Sequence, residues 1–177
     1  RDITDPMKES EHLLRLAHYN HLTKIPNRYL ILERISHLII QSERNKNNFT
    51  LLCINLDQFK TINDTKGHAF GDDILKKAAS RILKATRHSD TIARIEGDEF
   101  VLLLENTSDK NVITIIAESI IEVLSEDFLV NDEVVNISCS IGISSYPDDG
   151  ATTDELLAKA NKTMHKAKDN EHGTYEF

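Results

Sequence analysis

The sequence predicts an α+β domain with a mainly antiparallel central sheet flanked by helices, and three observations predict it. Residues 50–56 (TLLCINL) form a near-continuous apolar run of strand length. Residues 90–104 (DTIARIEGDEFVLLL) read as a strand at 91–95, a tight turn at Glu96-Gly97 and a second strand at 100–104. Between and after these runs, apolar residues recur at helical spacing, giving the order strand, helix, strand-hairpin-strand, helix, strand, helix. With 177 residues and 40% apolar content, one such domain can bury a full core without disulfides.

Taken in order, residues 1–21 form a linker segment whose helix carries Met7, Leu13, Leu14, Leu16 and Ala17, a set too sparse for a sustained coiled coil. The domain proper occupies residues 22–177. Its first helix buries Leu30, Ile31, Ile35, Leu38 and Ile39, and the polar run 42–48 ends it in a loop. After the strand at 50–56 comes a loop, and Gly71-Asp72-Asp73 opens a helix over 72–85. That helix turns Ile74, Leu75, Ala78, Ala79, Ile82 and Leu83 to one face. Beyond the hairpin, Ser108 caps a helix running to about residue 124, with Val112, Ile116, Ile120 and Val123 or Leu124 inward. A short strand at 128–130 and an Asn131-Asp132 turn lead into a strand over 134–146. There Val135, Ile137, Cys139, Ile141 and Ile143 alternate as on a half-buried strand. Thr152 and Glu155 make a capping box for the last helix, which faces Leu156, Leu157, Ala160, Met164 and Ala167 to the core.

The charge balance, 21 basic against 29 acidic residues, argues against a nucleic-acid binder, although a bound metal can offset a nucleotide's charge locally. Cys53 and Cys139 lie in apolar runs without metal-ligand spacing, which suits buried thiols in a reducing compartment. No run approaches a membrane span and no signal peptide is visible, so no membrane contact is expected within this segment. The chain begins without a methionine and reads as a piece of something longer.

Several residues carry chemistry. Asp98 and Glu99 are adjacent carboxylates framed by apolar strands, and they repel each other unless a cation sits beside them; the plainer alternative is a solvated acidic turn. Asn63 offers a donor and an acceptor, and the Asp72 carboxylate can accept from two ring N–H groups, a pairing that suits the edge of guanine. Lys60 is a compact cation that can meet phosphates. Taken singly, Asn63 and Asp64 read equally as a loop-capping pair, Asp72 as an acidic helix start, and Arg87 with Asp90 as an exposed ion pair.

Set together, these residues carry a family pattern. The segment RIEGDEF (94–100) resembles the signature of GGDEF domains, the diguanylate cyclases that join two GTP molecules into cyclic di-GMP, with Glu96 where the family has its first Gly. The run DQFKTINDTKGHAFGDD (57–73) resembles the family's Asp-x-Asp-x-Phe-Lys-x-x-Asn-Asp, then Gly-His and Gly-Asp. Asp57, Phe59, Lys60, Asn63, Asp64, Gly67, His68, Gly71 and Asp72 are in register, and Asn55 stands in place of the first Asp. LAHYNHLTKIPNR (16–28) resembles the opening segment, an Asp followed by Pro-Leu-Thr-Gly-Leu and then Pro-Asn-Arg. Leu22, Thr23, Pro26, Asn27 and Arg28 agree, whereas Asn20, His21 and Lys24 differ. Ala167 and Lys168 match the closing Ala-Lys, and Glu171, His172 and Gly173 replace Gly-Arg-Asn. The start, RDIT, resembles the exit from a PAS sensor domain, and the tail, TYEF, the lead-in to an EAL phosphodiesterase domain.

The resemblance implies a ferredoxin-like, palm-like nucleotidyl cyclase fold. It implies Mg²⁺ or Mn²⁺ held by Asp98, Asn55 and Leu56, with Asp98 and Glu99 as catalytic groups. It implies GTP bound by Asn63, Asp72, His68, Lys60, Phe59, Lys168 and His172, and product cyclic di-GMP restraining the enzyme at an RxxD site, Arg87 and Asp90. Catalysis then needs a homodimer, with an upstream sensor and a downstream EAL domain in the same bacterial, cytoplasmic protein. Asn55, Glu96 and His172 each point to reduced turnover: an amide brings no charge to the metal, Glu96 sits at a turn that prefers φ > 0, and an imidazole is only partly charged. The alternative is an inactive module that binds GTP or cyclic di-GMP and regulates an attached phosphodiesterase. A third reading, a ferredoxin-like RNA-binding sheet, needs exposed aromatics that residues 50–56 lack.

Overall fold

A computed structural model describes residues 6–170 and 173–177. The readings of residues 1–4, Glu171 and His172 lie outside the described residues. The elements follow as α1 (Pro6–His18), α2 (Arg28–Asn45), β1 (Phe49–Leu56), α3 (Phe59–Lys66), α4 (His68–Ala85), β2 (Thr91–Glu96) and β3 (Glu99–Glu105). Then come α5 (Lys110–Ser125), β4 (Phe128–Val130), β5 (Glu133–Val135), β6 (Cys139–Tyr146), α6 (Thr153–Asn170) and β7 (Tyr175–Glu176). The main sheet runs β2-β3-β1-β6-β7, antiparallel except where β7 lies parallel to β6. The α+β class and the mainly antiparallel sheet are therefore as the sequence predicts.

The sheet is covered on both faces, which explains why β1 reads as unbroken apolar sequence: all eight of its residues are buried. Leu52, Ile54 and Leu56 point into a core shared with Ile74 and Ala78 of α4 and Ile113, Ala117 and Ile120 of α5. Phe49, Leu51 and Cys53 point the other way, against Ile31 and Ile35 of α2 and Leu156, Ala160 and Met164 of α6. Because side chains alternate along a strand, Asn55 continues the α2/α6 face. Phe49, the aromatic at the strand's start, is fully buried, so no ring is presented there for stacking on RNA bases.

Several local expectations are corrected. The helix expected at 72–85 begins at His68, and the segment before it is the separate helix α3 rather than a loop, with Gly67 at φ +94 as the joint between them. Asp72 therefore lies inside the helix, not at its start. Leu83 is 54% exposed, since it falls off the buried stripe of α4. Asp109, not Ser108, caps α5, its side chain accepting from the Asn111 amide. That moves the buried set to Ile113, Ala117, Ile120 and Leu124, and leaves Val112 37% exposed. The long strand expected at 134–146 is broken: β5 folds back on β4 as a separate two-stranded sheet, and β6 starts at Cys139. β6 is buried on both faces rather than half-buried, since α5 and α6 cover opposite sides of it. The Thr152–Glu155 capping box forms, with the Glu155 amide donating to Thr152 Oγ1 at 3.1 Å and the hydroxyl donating to Glu155 Oε1 at 3.1 Å. Both thiols are buried, and burial pushes the Cys53 thiol up to about 12, so neither is set up for reaction. Among the described residues, no helix is long and apolar enough to cross a membrane.

Candidate active site

The site gathers at one end of the sheet, where β1 finishes between its two neighbours. Asn55 pairs with Glu99 of β3 on one side and Ser140 of β6 on the other. The Leu56 amide donates to the Asp98 carbonyl at 3.3 Å, so the end of β1 and the acidic turn are joined by backbone. The turn itself is Gly97-Asp98, one residue later than expected. Glu96 is the last residue of β2, paired with Glu99 across an irregularity after Arg94, and Gly97 alone takes the left-handed conformation, φ +51. The backbone strain expected at Glu96 is thus absent, because the bulge shifts the register and hands the positive φ to glycine.

Asn55 is used from both ends of its amide. Lys168, from the last turn of α6, donates to Asn55 Oδ1, and the amide nitrogen hydrogen-bonds the Asp98 carboxylate. Asp57 is 2% exposed; Ser138 Oγ, Ser140 Oγ and the Gly173 amide donate to its carboxylate at 2.6, 2.8 and 3.2 Å, and Lys168 Nζ lies 4.0 Å away. Burial holds the Asp98 carboxyl above the ordinary range, a shift that Lys168 and Asn55 oppose. Glu99 is also raised, by burial first and then by the like charges of Glu96 and Asp98. Three carboxylates pressed together in this way favour an added cation. Among the described residues, however, no three His, Cys, Asp or Glu side chains gather as a metal-ligand group. A cation here would have one carboxylate, Asp98, and the neutral oxygens of Asn55 and Leu56.

A second cluster sits across the rim on α3 and α4. Asn63 Oδ1 is buried without a hydrogen-bond partner among the described residues. It lies over Gly71, where an added Cβ would come within 1.8 Å of it, so a larger residue there would have to displace the Asn63 amide. Asp72, the next residue, is exposed beside it, as are Lys60 and His68. Phe59 is 5% exposed, its ring packed in the core beneath, so its side chain is not offered to a ligand.

Sequence reasoning passed over Arg94, His165 and the pocket role of Arg28. The Arg94 guanidinium is half-buried, donates to the Gly97 carbonyl at 2.8 Å and to Asn20 Oδ1 at 3.3 Å, and feels the charges of both Asp72 and Asp98. It bridges the two clusters; its position four residues before Asp98, on a strand leading to the turn, was the available signal. His165 precedes Lys168 by one helical turn and acts on Glu99, and Arg28 lines a cavity of about 120 Å³ beside Glu99 with Cys53 and Asn161. Arg87 and Asp90 do come together: Nε and NH2 donate to the two carboxylate oxygens at 3.0 and 2.9 Å. The Asp90 side chain is completely covered, whereas Arg87 stays exposed and also donates to Thr107 Oγ1.

The family model described as "Diguanylate cyclase, GGDEF domain" matches residues 17–174. The chain belongs to the GGDEF family. It is 40% identical over 174 residues to the bifunctional diguanylate cyclase/cyclic di-GMP phosphodiesterase MucR of Pseudomonas aeruginosa, covering 98% of this chain and 25% of MucR. It is 34% identical to the cyclic di-GMP phosphodiesterase PdeR of Escherichia coli, covering 98% of this chain and 26% of PdeR. The chain therefore spans about a quarter of these relatives. The solved GGDEF domain of TpbB from Pseudomonas aeruginosa superposes with a TM-score of 0.86 at 35% identity, covering 90% of this chain and 93% of that one. In this GGDEF domain the first signature position is Glu96, and the strand-end position is Asn55.

Proposed function

We propose that this GGDEF domain condenses two GTP molecules into cyclic di-GMP, with turnover lowered by Asn55. The observation that supports it most is the orphaned Asn63 Oδ1 beside exposed Asp72: a buried acceptor lacking a partner is costly, and the N–H edge of guanine would satisfy it. From that position the phosphates reach toward Lys60, Lys168 and the acidic turn; His172 belongs to the same proposed set. Asp98, Asn55 and Leu56 would hold Mg²⁺ or Mn²⁺, which supplies electrostatic stabilisation of the phosphate under attack. Glu99, its carboxyl raised by burial, is suited to hold a proton near the reacting hydroxyl. One domain binds one GTP, so a homodimer brings the two 3′-hydroxyls to the opposite α-phosphates. Arg87 and Asp90 form the proposed product site, with Arg87 released from Asp90 to grip guanine.

A second reading has its own observation. Lys168 and Asp98 already occupy both ends of the Asn55 amide, so the metal position is internally satisfied, as in a module that binds nucleotide and regulates an attached EAL phosphodiesterase. The upstream sensor, the downstream EAL domain and a cytoplasmic location belong to this same proposal. Incubation of the dimer with GTP and Mg²⁺ or Mn²⁺, following cyclic di-GMP, decides between the readings. Slow product formation supports the cyclase; GTP binding without product at any metal concentration overturns it in favour of the regulatory module.

A further inference from the structure

A groove outside the active site lies between the last turns of α1 and the loop that follows. His12 and Arg15 lie three residues apart near the end of α1, and with Tyr19, Asn20, His21 and Lys24 of the segment that follows they line a volume of about 550 Å³. Among the described residues no Asp or Glu lines it, in a chain whose formal charge is −8. Among the described residues, none of the His12, Arg15, His21 and Lys24 side chains is tied to a carboxylate or another hydrogen-bond partner. The loop is nonetheless firmly shaped. Asn20 Oδ1 accepts from the Leu22 and Thr23 amides, from Thr23 Oγ1 and from Arg94, and the Asn20 amide donates to the Ile25 carbonyl at 2.8 Å. Lys24 holds φ +66, a conformation that costs a non-glycine residue about 1 kcal/mol and in which the family pattern has glycine. Of the residues that depart from the family's opening segment, Asn20 stands where the pattern has a carboxylate and Lys24 adds a cation, so both shift this groove toward positive charge.

We propose that this groove binds an oligophosphate, two or more linked phosphate groups either free or at the end of a nucleotide. An Arg fork at 15 and a point charge at Lys24 both line an open, preshaped cleft of small-ligand size, the combination that captures several anionic oxygens at once. The Tyr19 hydroxyl adds a neutral donor, and its ring, 41% exposed, offers a flat surface to a nucleoside. The groove is separate from the guanine and metal clusters, so the inference stands whether or not those turn over GTP.

Calorimetric titration of the chain with tripolyphosphate tests it. Saturable binding is expected, weakened at least tenfold in the double variant Arg15→Ser/Lys24→Ser, whose side chains are exposed, and unchanged within twofold in Lys84→Ser, which removes an exposed cation of α4 outside both sites. ATP in a parallel titration distinguishes the sources: tighter binding than tripolyphosphate means the nucleotide is read as well, equal binding means the phosphates alone are. Affinity unchanged in the double variant, affinity lost in Lys84→Ser, or equally tight binding of hexaglutamate would each overturn the proposal, the last in favour of an acidic peptide partner.

Discussion

At the end of β1 the Asn55 amide accepts from Lys168 and donates to Asp98, so one neutral side chain joins two ionised ones. The raised Asp98 carboxyl carries a testable consequence. A carboxyl whose folded value lies above its unfolded value of 3.8 binds its proton more tightly when folded, so its contribution to stability is present at low pH and lost as pH rises through that window. Asp98→Asn should therefore raise the unfolding free energy at pH 7, and the gain should shrink as pH falls toward the unfolded value of 3.8. Urea titrations at the two pH values check this; a variant less stable at pH 7 contradicts it. A second consequence concerns Gly71. An added methyl would press on Asn63 Oδ1 at 1.8 Å, so Gly71→Ala should turn Asn63 away and weaken GTP binding about tenfold, roughly the 1.4 kcal/mol of one hydrogen bond. Unchanged affinity would remove Asn63 from base recognition. Asn55, Asn63, Asp98 and Glu99 were all legible in the sequence, because their spacing is fixed by one strand, one helix and one turn. Arg94, His165 and the double use of Asn55 were not, since each depends on which elements meet in space.

Among elements, the strands were the most legible. β1 is apolar throughout because helices cover both its faces, and the hairpin is framed by two such strands. What the sequence concealed lies at boundaries. Nothing local separates α3 from α4 except Gly67, and the β2 bulge that moves the turn to Gly97-Asp98 is a property of pairing, not of composition. Likewise the alternation over 134–146 continues smoothly through Asn136–Ser138, where the chain leaves one sheet for the other. The packing of α6 on β6, which carries Lys168 to Asn55, rests on Gly142. A Cβ there would meet the Ala160 carbonyl at 1.9 Å and the Met164 amide at 2.2 Å, both backbone atoms that cannot step aside. Gly142→Ala should cost about 3 kcal/mol of stability by chemical denaturation and loosen the Lys168 position with it. A cost under about 1 kcal/mol would show that α6 is free to shift.

For the whole molecule, a domain of GGDEF family membership brings its two clusters to one rim of the sheet: an unsatisfied buried acceptor on α3 beside α4, and an acidic turn closed over β1, with Arg94 between them. The proposed loss of turnover is assigned chiefly to the charge missing at residue 55, which one substitution restores. The direct measurement is cyclic di-GMP formation from GTP and Mg²⁺ by the wild-type dimer and by Asn55→Asp, side by side. The account predicts at least a tenfold higher rate in the variant with a lower Mg²⁺ requirement; equal rates, with GTP bound equally well, would contradict it.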